Sequence, residues 1–161
     1  MKKNKVLFLT QAAMIAALYV VLTFVSNAFG LASGAIQIRI SEALTILPYF
    51  SPVAVPGLFI GCLISNLLTG CALFDVIFGS IATLLGAVGT RLLRRIKWLA
   101  PLPPIISNTV IVPFVLTYVY GLPGGIPYFM LTVGIGEIIS CGVFGMILLS
   151  ILSKYRSNLF V

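Results

Sequence analysis

Pro48-Tyr49-Phe50-Ser51-Pro52 interrupts an apolar stretch running from Ala43 to Leu68, and whether the chain crosses a membrane once or twice there decides the fold. Four other apolar segments flank it: Val6 to Phe29, Leu73 to Gly89, Trp98 to Tyr120 and Ile126 to Leu152. A single crossing through the interrupted stretch gives five spans. With Lys2, Lys3 and Lys5 cytoplasmic, five spans put Arg91, Arg94, Arg95 and Lys97 outside, followed by Lys154 and Arg156. Short basic loops favour the cytoplasmic side, so that arrangement is wrong in two places. Two crossings remove both conflicts. Pro52 suits the first turn of a new helix, where its missing N–H has no partner to lose, and Ser51 suits the N-cap before it. The preceding helix then starts near Gly34 or Ala35 and has roughly 16 residues, about 24 Å at 1.5 Å each. The expectation is an all-α integral membrane protein of six transmembrane helices, one domain over residues 1–161, with both termini cytoplasmic in the cell membrane.

Composition supports the class independently. The chain has 161 residues, 60% of them apolar and 8% charged, and a mean hydropathy of +1.19, beyond what a water-soluble surface tolerates. At about 20 residues per span, this length allows at most about six or seven crossings. The basic start Met1-Lys2-Lys3-Asn4-Lys5 mimics a signal peptide, but the apolar run continues to Phe29 without a cleavage site, which predicts a retained first helix. A net charge of +7 would suggest nucleic acid in a soluble protein. Here nine of ten basic residues lie at the termini or within Arg91 to Lys97, the pattern of a topology determinant. Cys62, Cys71 and Cys141 are odd in number and lack zinc or disulfide spacing, so they read as small packing residues. Histidine is absent, which argues against zinc hydrolases, His-dependent triads and common haem ligation. No metal site and no cofactor is expected.

The chemistry is then sought in four residues. The chain's three acidic side chains, Glu42, Asp75 and Glu137, lie within or beside apolar sequence, and the isolated basic residue, Arg39, precedes Glu42 by three. An ionisable group at the centre of a membrane helix costs about 2.5–3.5 kcal/mol on insertion scales, so each is a candidate functional group. On the six-span reading Arg39 and Glu42 share one helical face in the outer half. Asp75 falls just inside the outer start of the fourth span. Glu137 lies about ten residues, or roughly 15 Å, below the outer end of the sixth and is the deepest. Asn66, near the outer end of the third span, and Asn108, in the fifth, add amides at similar depth. The plainer readings are that Arg39 and Glu42 neutralise each other and that Asp75 caps a helix.

Small residues mark a second surface. Ala12, Ala13, Ala16 and Ala17 form two overlapping small-xxx-small pairs, repeated by Gly57 with Gly61 and by Ala82 with Gly86. Such spacing lets helices approach closely, either inside one bundle or against a partner subunit. Three function classes remain: a solute-binding transport subunit, an intramembrane enzyme, and a channel or structural protein. No GxxxxGK[ST] phosphate loop is present, so ATP-driven work needs partners. Three separated carboxylates without histidine make a thin catalytic kit, and a channel would show a polar ring or stripe. Polar groups gathered at one depth favour a pocket.

Three ordered blocks carry a resemblance: Gln37-Ile38-Arg39-Ile40-Ser41-Glu42-Ala43-Leu44-Thr45-Ile46-Leu47-Pro48, then Gly57 to Asn66, then Asp75 to Leu84, with Gly136-Glu137 near the end. Together they resemble the QueT family across nearly the whole chain. The resemblance implies a six-helix substrate-binding S component of an energy-coupling factor (ECF) importer for a queuosine precursor, a 7-deazaguanine such as preQ1, preQ0 or queuine. It also implies a transmembrane coupling subunit and two ATPases as partners, and not an enzyme. Ala12 with Ala16, or Ala13 with Ala17, resembles the patch through which S components meet the coupling subunit. A 7-deazaguanine presents N1–H and an exocyclic amine side by side, which one carboxylate can accept together. Glu137 is assigned that role. Glu42 or Asp75 would face the ammonium of preQ1 or queuine, and Arg39 would orient a carboxylate or contact the purine carbonyl. Asn66 and Asn108 would complete the edge, with Tyr128 or Phe129 stacking at the entrance. The loops at Gly30 to Gly34 and Gly121 to Pro127 are candidate gates. The alternatives are an S component for riboflavin or biotin, and a small intramembrane enzyme acting on a lipid.

Overall fold

In hydrocarbon every backbone N–H and C=O must find a partner within the protein, so long apolar runs fold as helices. The computed structural model describes residues 2–31 and 36–155 and is helical throughout, with no strand among the described residues. In chain order come α1 (Lys2–Ala28), a 3-10 helix (Ile40–Tyr49), α2 (Ala54–Leu68), α3 (Leu73–Leu92), α4 (Leu102–Tyr118), α5 (Ile126–Glu137), a π-helical segment (Ile138–Phe144) and α6 (Gly145–Lys154). A further single 3-10 turn, Lys97–Leu99, leads into α4. The stretches Lys5–Ala28, Leu73–Leu92, Lys97–Tyr118 and Ile126–Lys154 are each long and apolar enough to cross a membrane, and α2 is a shorter apolar helix.

The segment expected as the second span departs from an α-helix. Its expected start at Gly34 or Ala35 lies outside the described residues. Residues 36–39 are not helical, and Arg39 is extended at φ −107°, ψ 107°. A ten-residue 3-10 helix follows, with Pro48 inside it and residues 41–48 all buried. The tighter coil rises about 2 Å per residue, so ten residues cover about 20 Å. The extended lead-in adds about 3.3 Å per residue. Ser26 and Ser140 supply side-chain oxygens to its backbone: Ile40 N–H donates to Ser26 Oγ at 2.9 Å and Arg39 N–H to Ser140 Oγ at 3.2 Å. Gly136 makes room for it, because a Cβ there would collide with the Gln37 carbonyl oxygen. Helix α2 begins at Ala54, two residues beyond Pro52, and its cap position is Val53, which makes no side-chain cap bond. Ser51 is therefore not the N-cap, and its Oγ accepts from Val53 N–H at 3.3 Å within the turn before the helix.

The small-residue stripes largely meet each other. Ala12 and Ala16 are buried, and a Cβ on Gly57 would lie 2.8 Å from the Ala12 carbonyl oxygen. One on Gly61 would lie 2.8 Å from Tyr19 Cβ, so α1 and α2 cross at backbone distance. Gly86 plays the same part against Pro104 of α4, where a Cβ would come 2.6 Å from the Pro104 Cα. The main core gathers Tyr19, Leu44, Ile46, Leu47, Leu58 and Leu149 around the 3-10 helix. Loops collect at two ends. At one, Tyr120 reaches the α2–α3 turn, where Ala72 N–H donates to its hydroxyl at 3.0 Å; at the other, Arg91 Nη1 donates to the Pro48 carbonyl at 3.2 Å.

Candidate functional site

The site is built where the 3-10 helix meets α1, α4 and the π segment. Glu42 is 2% exposed; Tyr19 OH donates to its Oε1, and Asn108 Nδ2 approaches its Oε2 at 3.5 Å. One turn after Glu137, Cys141 donates its thiol hydrogen to Glu137 Oε2 at 3.1 Å and approaches the Glu42 carbonyl at 3.4 Å. Ligand atoms of Glu42, Glu137 and Cys141 all lie within 4.8 Å of one another. Two carboxylates this close repel in a medium of low dielectric unless a proton, a cation or hydrogen-bond donors lie between them. Three such donors can in principle ligate a metal. Here the Cys141 thiol is turned to the Glu137 carboxylate and to the backbone carbonyl of Glu42.

One expectation about these glutamates changes. Arg39 and Glu42 do not share a helical face, because Arg39 precedes the helix in extended backbone. Its Nη1 turns to Asn66 Oδ1 at 3.3 Å, a neutral amide on α2. The two glutamates also differ in exposure: Glu137 is partly exposed, whereas Glu42, on the 3-10 helix, is buried.

Asp75 lies in the first turn of α3 without capping it; the cap position is Ala72, which makes no side-chain bond. Instead Tyr120 OH donates to Asp75 Oδ2 at 2.9 Å. Tyr120 stands in the loop after α4, and burial together with the neighbouring Asp75 carboxylate pushes its phenol up to about 12, so it keeps its proton.

Two cavities share a wall. An inner one of about 40 Å³ is bounded by Glu42, Glu137, Asn108, Gly79 and Thr83. An outer one of about 270 Å³ is bounded by Asn66, Thr69, Cys71 and Tyr120. Gln37, Arg39, Asp75 and Leu116 line both. All four charged residues singled out from the sequence therefore border this paired pocket, with Asn66 and Asn108. Tyr128 does not: it is 49% exposed and lines an adjoining cavity of about 200 Å³, with its ring 5.5 Å from that of Phe129. The alanines divide, with Ala12 and Ala16 turned inward and Ala13 and Ala17 exposed. Of the candidate gates, residues 32–35 lie outside the described residues. The α4–α5 loop turns at Gly121, φ +59°.

Sequence reasoning missed Tyr19, Gln37, Tyr120 and Cys141. Tyr19 was within reach, since it follows Ala12 and Ala16 at helical spacing on the face that packs inward. Cys141, four residues after Glu137, shares its face by the same rule. Gln37 and Tyr120 sit in irregular backbone, where spacing carries no orientation.

A family model described as QueT transporter matches residues 9–154, a range that includes every charged residue of the pocket. Among curated proteins, the chain is similar to one named Queuosine precursor transporter QueT from Lactococcus lactis subsp. cremoris (strain MG1363), at 38% identity over 98 residues. That alignment covers 60% of this chain and 57% of the relative. No solved structure matches.

Proposed function

The chain belongs to the QueT transporter family, multi-pass membrane transporters rather than enzymes, and from that premise we propose that it is the S component of an ECF-type importer that captures a 7-deazaguanine queuosine precursor. The observation that carries this reading is the pair of clustered carboxylates facing a cavity beside an amide. Glu42 is engaged at both oxygens by Tyr19 and Asn108, whereas Glu137 lines the inner cavity with Cys141 on its Oε2, which makes it the member of the pair that meets the base. Its two oxygens suit the adjacent N1–H and exocyclic amine of the base, a charge-assisted pair of bonds. Arg39, in the wall between the two cavities, is placed to donate to the purine carbonyl, and Asn66 holds the guanidinium in position.

Transport needs partners, because the chain carries no phosphate loop. The reading supplies a transmembrane coupling subunit and two ATPases, with the exposed Ala13 and Ala17 as the docking stripe on α1. In the bilayer, the 3-10 segment and its extended lead-in serve as the second of six spans. Arg91, Arg94, Arg95 and Lys97 then mark the cytoplasmic end, together with both termini.

The test is direct binding to detergent-purified protein, without partners or ATP. Saturable binding of preQ1, preQ0 or queuine is expected, and Glu137→Gln should weaken it about tenfold or more. Saturable binding of riboflavin or biotin in their place, or turnover of a membrane lipid without base binding, overturns the reading. Unchanged affinity in Glu137→Gln removes Glu137 from its role.

A further inference from the structure

Resting on the reading just given, we infer that Asp75 forms a cation subsite in the wall joining the two cavities, so that the protein selects 7-deazaguanines bearing an amine on the C7 arm over those bearing an uncharged arm. The polar pocket holds one positive and three negative side chains, formally minus two. Arg39 donates to the neutral Asn66 amide at 3.3 Å, so an acid remains to be matched. The acids differ in what already occupies them. Glu42 is buried with one oxygen bonded to Tyr19 and the other approached by Asn108. Glu137 lines the inner cavity, where the donor edge of the base belongs, with its Oε2 accepting from Cys141. Asp75 lines both cavities and, among the described residues, is hydrogen-bonded at Oδ2 alone, by Tyr120.

Its second oxygen lies beside Gly79, one helical turn along α3 and a lining residue of the inner cavity: a Cβ built there would stand 3.4 Å from Asp75 Oδ1 and 3.1 Å from Asn66 Nδ2, so any side chain at this position would crowd the carboxylate and the amide. The ligand's shape then fixes the pairing. In a 7-deazaguanine the N1/exocyclic-amine edge and the C7 substituent point to opposite sides of the bicycle. If that edge enters the inner cavity at Glu137, the arm is directed toward the wider outer cavity and passes Asp75. An aminomethyl arm presents an ammonium with three donors there, whereas a nitrile arm presents no donor and no charge. Tyr120 keeps Oδ2 satisfied while the site is empty and retains its phenolic proton, so the carboxylate stays oriented for the incoming cation.

The test compares aminomethyl and nitrile 7-deazaguanines for binding to purified protein. The wild type should prefer the amine by about tenfold or more, the range of a charged hydrogen-bonded contact. Asp75→Asn should bring that ratio close to one, and Asp75→Glu, which keeps the charge, should retain most of it. Equal affinities in the wild type overturn the inference without reliance on any variant, as does a ratio that survives Asp75→Asn. Loss of the ratio in Asp75→Glu to the same extent as in Asp75→Asn assigns the effect to packing and also overturns it. Binding of both bases with equal affinity leaves the proposed function standing; binding of neither overturns this inference, and overturns that reading with it when queuine also fails to bind.

Discussion

Tyr19 is the residue on which the buried end of the pocket turns, because it supplies the hydroxyl that meets the buried Glu42. A buried acceptor stripped of its donor loses about 1–3 kcal/mol, so Tyr19→Phe should lower stability by that amount. The measurement is a lowered thermal midpoint in detergent, and an unchanged midpoint would show that Glu42 has another partner. Glu137→Gln should behave differently, weakening ligand binding while moving the midpoint little, since Glu137 is partly open to the cavity. The importance of both acids was legible from cost alone, because an ionisable group in an apolar span needs a reason. Their partners were not. Tyr19, Cys141 and Tyr120 are ordinary residues until the fold aims them at a carboxylate.

Among the elements, the contact between α1 and α2 depends on glycine at positions 57 and 61, whereas some other glycines of the bundle have room for a methyl. A methyl at Gly61 would lie 2.8 Å from Tyr19 Cβ and 3.0 Å from the Ala16 Cα, and backbone cannot yield as a side chain can. Gly61→Ala should therefore cost about 1–3 kcal/mol by overpacking and displace Tyr19 from Glu42. Gly134 offers the control on α5. A methyl there meets Thr109 at an ordinary 3.5 Å, so Gly134→Ala should be neutral or slightly stabilising through helix propensity, about 0.5–1 kcal/mol. Equal thermal midpoints for the two variants would count against the close crossing. The second span shows the limit of sequence at this scale. The prolines located the break, but an α-helix and a 3-10 helix with an extended lead-in are equally apolar, and only the choice between them decides where Arg39 points.

For the whole molecule, α1 presents two alanine stripes with separate duties. Ala12 and Ala16 face α2, while Ala13 and Ala17 face outward. If the outward stripe docks the coupling subunit, Ala17→Trp should abolish uptake in cells while purified protein still binds base. Ala16→Trp should lose binding and stability together, since it drives a large ring into the α1–α2 crossing. Equal loss of binding in both would mean that the outer stripe is not a docking face.

By itself the sequence determined the class, the approximate number of crossings and the set of costly charges. These depend on hydropathy, charge parity and the energy of burying an ion, all of which are additive along the chain. The tertiary structure alone decided that Arg39 pairs with Asn66 and not with Glu42, that Glu42 is less exposed than Glu137, and that Asp75 answers to Tyr120 and not to its own helix end. Those choices depend on backbone direction and on which residues from distant segments meet in one small volume, and no local spacing encodes that.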